Sequence, residues 1–418
     1  MKIPLIPGLT NTILITAKAQ WAEPAPRVEA AVVVKMWRIL LSLLLFSSTV
    51  SGQDLPDNEL QVNFNSYFDN FNVKIVYPSV SLTKKFSDSS TVNIRYLVDV
   101  ISAASMRSHF DVDGVTSATE KEDGGGDDHP DEVRHEFGVG LNELLKGGIL
   151  KGGVLSLNAL YSREHDYSSF TIASLFTYLM AKKNTTLQIG FVRSWDKVFP
   201  QIRTWKKSKD VYTFSFNLTQ ILSRIFISQV IFSYNDNRGF LSDPYQVVQI
   251  IQNNQVVNYE TVHPKSRVRK ALGFRMNYKV GRKAALNFGM RYYWDSWQVN
   301  SLTTSLTFQQ HLGNAAILGI GIRNYFQDKA FFFKPRYETP EKYMTVDTKL
   351  NEGYSNDYHI KLTMNGGYFK HLPFLSDENM QLNFRMDFYH RHSETPDWHS
   401  RYKNLYAYIL SFGVRYHF

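Results

Sequence analysis

The sequence predicts an all-β protein: a transmembrane, antiparallel, up-and-down β-barrel of about 16 strands, with 14 as the alternative count. Three observations carry this. Apolar and polar residues alternate over spans of about 10–14 residues, whereas strands of water-soluble domains usually run about 5–6. Short and long connections alternate along the chain. The last strand is an alternating aromatic run that stops on the final residue, Phe418.

Composition narrows the field. The 418 residues include no cysteine, which excludes disulfide scaffolds, thiolate zinc sites, thiol nucleophiles and covalently attached c-type haem. Aromatic residues make up 14% and charged residues 20%, a balance unlike that of disordered chains. Mean hydropathy is −0.29, and no apolar run approaches the roughly 18 residues of a membrane-spanning helix. Net charge is +9, but the basic residues are spread over strand faces rather than gathered on a recognition helix, so no nucleic-acid partner is expected.

The N-terminus reads as a delivery signal. Residues 1–35 are broken by Pro4, Pro7, Pro24 and Pro26. Met36-Trp37-Arg38 then leads into the apolar run Ile39 to Phe46 and the small residues Ser47 to Gly52. A basic start, a short apolar core and small residues at a cleavage point describe a secretory signal peptide. Cleavage is expected after Gly52, and Met36 is the expected true start. Residues 1–52 therefore form an extension plus signal, 53–59 a short periplasmic lead, and 60–418 the barrel. The first 52 residues carry five basic and two acidic side chains, so their removal takes 3 from +9 and leaves +6.

The strands follow in order. Leu60 to Phe71 supplies an upward first strand and 72–87 a downward partner. Tyr212, Phe214, Phe216 and Leu218 oppose Thr213, Ser215, Asn217 and Thr219. Val268, Leu272, Phe274, Met276 and Tyr278 oppose Arg267, Arg269, Gly273, Arg275 and Asn277, with Lys270 the exception. Leu286 to Trp294, Tyr358 to Met364 and Met380 to Phe388 repeat the pattern, with apolar residues on even positions. The last strand runs Tyr406, Tyr408, Leu410, Phe412, Val414, Tyr416 and Phe418. Successive strand side chains face opposite ways, so each strand has one apolar and one polar face. A tilted strand needs about 9–11 residues to cross a bilayer, and lipid tolerates no open edge.

Connections near 88–90, 146–150, 181–185, 221–224, 281–283, 311–314 and 370–378 are the expected periplasmic turns. Segments 106–131, 163–167, 195–209, 236–265, 327–356 and 391–404, with the tight 295–298, are the expected extracellular ones. Tyr416 and Phe418, an aromatic pair at the very end, resemble the C-terminal signal read by the outer-membrane assembly machinery.

Asp99-Val100-Ile101-Ser102-Ala103-Ala104-Ser105 resembles the D-x-I-S-x-A-S signature of an uncharacterised outer-membrane family of Gram-negative bacteria. Asp99, Ser102 and Ser105 are its motif residues. Ala103 and Met106 stand where that family usually has Gly and Pro. Glu132-Val133-Arg134, Tyr292 to Trp297 and Arg323-Asn324-Tyr325-Phe326-Gln327 also fit, so the similarity spans about residues 90–330. The resemblance implies a barrel without an established activity, encoded near a small lipoprotein and a flavin transferase, and hence an envelope redox or maturation setting.

Four groups are candidate sites. Arg267, Arg269, Arg275, Arg291, Arg323, Lys361, Arg385 and Arg415 lie on polar strand faces. Near the midplane, facing lipid, each would cost roughly 2–4 kcal/mol, so they are expected to face inward. There they form either a basic, anion-favouring lumen or an ion-pair network with Asp295, Asp387 and Asp99. The acidic segment Asp111 to Glu132 has carboxylates enough for calcium but the wrong spacing for a calcium loop, and is read as a solvated loop. His390, His392 and His399 with Glu394 and Asp397 are read likewise, although imidazoles two apart share a strand face. Tyr292, Trp294, Trp297, Trp195, Phe326 and Phe331 to Phe333 suit an interfacial aromatic girdle. Ser168, His165 and Asp166 are too close in sequence to be read as a triad. The reading implies no cofactor and no metal. Its expected role is a non-enzymatic pore or envelope scaffold set in outer-membrane lipid. The alternatives are a plugged barrel that binds a lipoprotein or extracellular partner, and a hydrolase on the extracellular rim.

Overall fold

The computed structural model describes residues 55–56, 58–103, 132–148, 150–369, 376–395 and 403–418. The expected signal segment with Met36 and Gly52, most of the acidic segment, Ser105, Asp397 and His399 lie outside these residues.

Eighteen strands are described. They are β1 (Glu59–Asp69), β2 (Val73–Ser87), β3 (Ser90–Ala103), β4 (Glu132–Leu144), β5 (Val154–Arg163) and β6 (Tyr167–Met180). Next come β7 (Thr185–Val198), β8 (Lys207–Ser223), β9 (Phe226–Gly239), β10 (Val247–Gln252), β11 (Gln255–Glu260) and β12 (Ser266–Val280). The last are β13 (Ala284–Asp295), β14 (Asn300–Leu312), β15 (Ala316–Gln327), β16 (Gly353–Asn365), β17 (Met380–Ser393) and β18 (Asn404–His417). Sixteen of them form one closed antiparallel barrel in chain order, with β12 pairing β9 directly. β10 and β11 stand apart as a two-stranded hairpin.

The barrel closes where β1 meets β18, in register from Glu59 opposite His417 to Asp69 opposite Ala407. Closure satisfies every strand's backbone groups, which is the condition for strands to cross lipid. Alternation then decides the two faces. Leu60, Val62, Phe64, Phe137, Val139, Leu141, Phe384 and Phe412 are large apolar side chains left exposed on the outer wall. Exposed apolar residues on a closed barrel form its lipid belt. The first strand ends at Asp69 rather than Phe71, because Asn70 to Asn72 form the turn.

Turn lengths orient the barrel. The connections after β2, β6, β8, β12 and β14, of two to four residues, share the end that holds Asn58 and Phe418, where the Phe418 amide donates to the Asn58 carbonyl. Short turns mark the periplasmic end. The opposite, extracellular end carries residues 240–265 and 328–352. Segment 236–265, expected to be an extracellular connection, contains the β10–β11 hairpin. Asn253 and Asn254 link its strands at φ +50° and +60°, as a type I′ turn requires. This is an integral outer-membrane β-barrel.

Candidate functional site

The two long extracellular segments fold together over the barrel mouth. Val262 bridges Met344, and Phe333 bridges Thr345. Val248, Ile250, Tyr337 and Met344 form one buried apolar cluster; Trp297, Val299, Ala330, Phe332, Phe333 and Leu350 form another. Tyr337 pins the cap. Its hydroxyl lies 2.6 Å from the Phe332 carbonyl and accepts from the Thr345 amide at 2.9 Å. Beneath the cap lies a cavity of about 1620 Å³, walled by inner strand faces on one side and by cap residues on the other.

Two tight turns shape this vestibule, and their sequences repeat. Tyr67-Phe68-Asp69-Asn70-Phe71-Asn72-Val73 joins β1 to β2, and Tyr293-Trp294-Asp295-Ser296-Trp297-Gln298-Val299 joins β13 to β14. In each, the tyrosine hydroxyl donates to the aspartate Oδ2, at 2.9 and 2.6 Å. The aspartate Oδ1 accepts the amides two and four residues on, Phe71 and Val73 or Trp297 and Val299, at 2.8–3.1 Å. Asn72 and Gln298 take φ of +62° and +65°. Asn70 and Ser296 each extend the neighbouring strand by one rung, through Tyr406 and Val268. The result buries Phe71 and Trp297 and lines the cavity with both. The repeat was legible in the sequence as Y-aromatic-D-x-aromatic-amide-V, a signal that strand alternation alone does not reveal.

The girdle expectation is corrected here. Tyr292 and Phe326 are exposed on the outer wall, but Trp297, Phe332 and Phe333 are buried in the cap. Asp295 captures the backbone beyond β13 and turns Trp297 inward. There its indole Nε1 donates to the Ser266 carbonyl at 2.9 Å and Arg267 stacks 4.2 Å from its ring.

The basic strand residues divide by their partners. Arg267 is buried and donates through Nε to Asp295 at 2.7 Å. Arg385 is paired with Asp387 two residues along β17, at 2.8 Å from Nε to Oδ2. Arg415 meets Glu59 at 3.4 Å across the closing seam. Arg267, Arg269 and Arg291 line the cavity. Arg275, Arg323 and Lys361 share that inner-face parity further toward the periplasmic end. Among the described residues, Arg269, Arg275, Arg291, Arg323 and Lys361 have no carboxylate at ion-pair distance. The wall built by β1–β9 is different. Several of its charges are matched, Arg95 with Glu136, Arg134 with Asp99 and Lys209 with Asp196. Amides and hydroxyls cover much of the rest, such as Asn142 with Thr91 and Asn235 with Thr213.

The remaining candidates fall as follows. Asp99 is buried and accepts from Arg134 Nη2 at 2.6 Å. Ser102 pairs Lys74 in the β2–β3 register. Tyr416 stacks 6.5 Å from Phe418, over which Lys84 sits at 5.2 Å. His390 and His392 both meet the Asn404 side-chain oxygen, at 3.2 and 2.9 Å. Ser168 stands in β6 opposite Arg163 and Lys197, whereas Asp166 is buried and accepts from the Tyr245 hydroxyl of the cap. Asp357, His359 and Asp387 are the group of potential metal ligands found among the described residues. Arg385 already engages both Asp387 oxygens, and His359 bridges Asp357 and Thr307 at 3.2 Å each, so the three groups are held in a side-chain hydrogen-bond network.

Two cap groups have altered acidity. Burial raises the Asp243 carboxyl above its ordinary range, opposed by the Tyr245 amide. Burial lowers the His263 imidazole below its ordinary value. Its Nδ1 donates to the Leu241 carbonyl at 2.9 Å, and Trp297 and Phe332 flank the ring.

Comparison with known proteins adds the following. The siderophore receptor PirA of Pseudomonas aeruginosa is similar over 83% of this chain and 58% of its own, at 12% identity and a TM-score of 0.43. The chain thus spans little more than half of that receptor. A bacterial polysaccharide outer-membrane secretin is similar over 86% of this chain and 98% of its own, at 5% identity and a TM-score of 0.48. The loop-deleted OmpT of Vibrio cholerae is similar over 87% and 98%, at 8% identity and 0.40. No curated protein sequence matches the chain. A family profile does match, over residues 27–405, and the chain belongs to that family, the proteins of unknown function DUF3570.

Proposed function

We propose that the chain is a non-enzymatic outer-membrane pore that favours anionic solutes and is narrowed at its extracellular mouth by its own folded loops. One observation carries this reading: Arg275, Arg291, Arg323 and Lys361 are exposed cations of inner-face parity, without an acidic partner among the described residues, on one wall of the lumen. Unpaired cations lining a wetted passage raise the local concentration of anions and repel cations, as basic rings do in anion pores. The facing wall pairs its carboxylates Glu136, Asp99 and Asp196 with Arg95, Arg134 and Lys209, so it does not cancel that field. The test is the reversal potential of the refolded protein in a planar bilayer under a potassium chloride gradient. Chloride preference is expected, falling toward neutrality in the triple variant Arg275→Gln, Arg323→Gln, Lys361→Gln. Cation preference would overturn the reading.

The alternative is a barrel closed by its loops that binds a lipoprotein or extracellular partner, and the folded cap supports it. Sealed bilayers, together with a stoichiometric protein recovered from native membranes, would replace the pore reading with that one.

A further inference from the structure

We propose that the capped vestibule binds an organic anion: a solute carrying carboxylate or phosphate groups on an apolar or aromatic body. The inference rests on the anion-favouring reading and names the class of solute that the mouth retains. Arg269 on β12 and Arg391 on β17 both line the cavity. The Nε of each is buried without a hydrogen-bond partner. Among the described residues neither has a carboxylate at ion-pair distance, and the one side-chain hydrogen bond of Arg391 goes to the Thr348 hydroxyl, at 3.2 Å. Arg267, two residues from Arg269 on β12, shows the contrast, being satisfied by Asp295 and Trp297.

Buried donors are almost always matched, so unmatched ones on side chains that line a cavity point to an acceptor from outside the chain. Oxygens of a carboxylate or phosphate fit the guanidinium fork in pairs. Size and lining define the rest of the solute. The cavity, about 1620 Å³, exceeds the roughly 300–1,000 Å³ of ordinary small-molecule pockets, so it has room for an organic solute as well as for an inorganic ion. Phe71, Ile75 and Leu405 from the barrel side and Val346 and Leu350 from the cap supply apolar wall. A solute that sets a hydrocarbon or ring against these residues and its oxygens against the arginines satisfies both surfaces.

The probe is trimesate, an aromatic tricarboxylate, with inorganic phosphate and benzyltrimethylammonium for comparison. Retention is measured by equilibrium dialysis of the purified barrel in non-ionic detergent. Trimesate is expected to bind saturably, phosphate weakly and the cation not at all. Arg269→Gln and Arg391→Gln are each expected to weaken trimesate roughly tenfold or more, the value of a charged hydrogen bond. Heat-modifiable migration on gels checks that each variant is folded, and Arg269→Lys should restore part of the affinity. No saturable retention, retention unchanged in both Gln variants, or phosphate binding as tightly as trimesate would each overturn the proposal. Arg275→Gln and Arg323→Gln lie off the cavity, and they should shift the reversal potential while leaving retention intact. Lost retention with intact anion preference therefore refutes this inference alone, and the converse refutes the pore reading alone.

Discussion

Trp297→Ala tests whether the cap is a folded element that narrows the mouth. Trp297 is 3% exposed. Its ring lies 5.1 Å from Phe332 and 5.4 Å from His263, its Nε1 donates to the Ser266 carbonyl, and Arg267 sits over its face. Truncating a buried Trp or Phe to Ala costs about 3–5 kcal/mol. That figure includes about 1 kcal/mol for the hydrogen bond and about 0.5–2 for the cation–π contact. At about 1.4 kcal/mol per factor of ten, the cap equilibrium should move two to four orders of magnitude toward open forms. The barrel should not follow, because its strands are held by a closed backbone ladder that Trp297 does not join. Loops also open locally at far lower cost than strands. The assays are single-channel conductance and limited proteolysis. The variant should conduct more and be cut within 240–265 or 328–352 at protease doses that the native protein resists, while heat-modifiable migration stays the same. Trp297→Phe, which keeps a ring, should fall between. Native conductance together with native cleavage in the Ala variant would refute the reasoning.

Two further outcomes are expected. Because burial lowers the His263 imidazole, the group is neutral in the folded cap; its contribution is complete above about pH 6.5 and falls as pH drops below that value, where the unfolded cap takes up the proton. Asp347 favours the imidazolium and Arg267 opposes it, while Asp243, raised by burial, works in the stabilising direction on acidification. Conductance should therefore rise from pH 7.5 to 5.5 in the native protein, whereas in His263→Gln, with only the opposing Asp243 effect left, it should not rise; an equal slope in both would discard the assignment. Phe418→Ala removes an exposed ring that stacks near Tyr416 and lies under Lys84, the latter contact worth about 0.5–1 kcal/mol at an exposed site. The folded barrel should keep its thermal stability, whereas outer-membrane levels should drop if Tyr416 and Phe418 are read during assembly; unchanged levels would refute that role.

The cap shows where sequence reading reached and where it stopped. Alternation at Leu286 to Trp294 specified both strand and face, since a one-residue slip would turn Arg291 into lipid. Trp297, in the tight connection past Asp295, groups with the interfacial aromatics because it lies beside an outer strand end, where alternation no longer applies. Asp295 ends the strand by taking two amides onto one carboxylate oxygen, a local bond that no alternation pattern encodes. Phe332 and Phe333 were equally ambiguous: an aromatic run suits an interface or a core, and only contact with Val299 and Leu350 decides.

What the chain alone determined was the barrel: its closure, its direction, its lipid face and the inward parity of its arginines all follow from short-range periodicity and the bilayer's refusal of unpaired backbone. The tertiary structure decided which of those arginines found carboxylates and which did not. It also decided that 240–265 and 328–352 fold on one another over the lumen. Pairing and docking join residues far apart in sequence, such as Arg267 with Asp295 and Val262 with Met344, and such contacts are set by three-dimensional register.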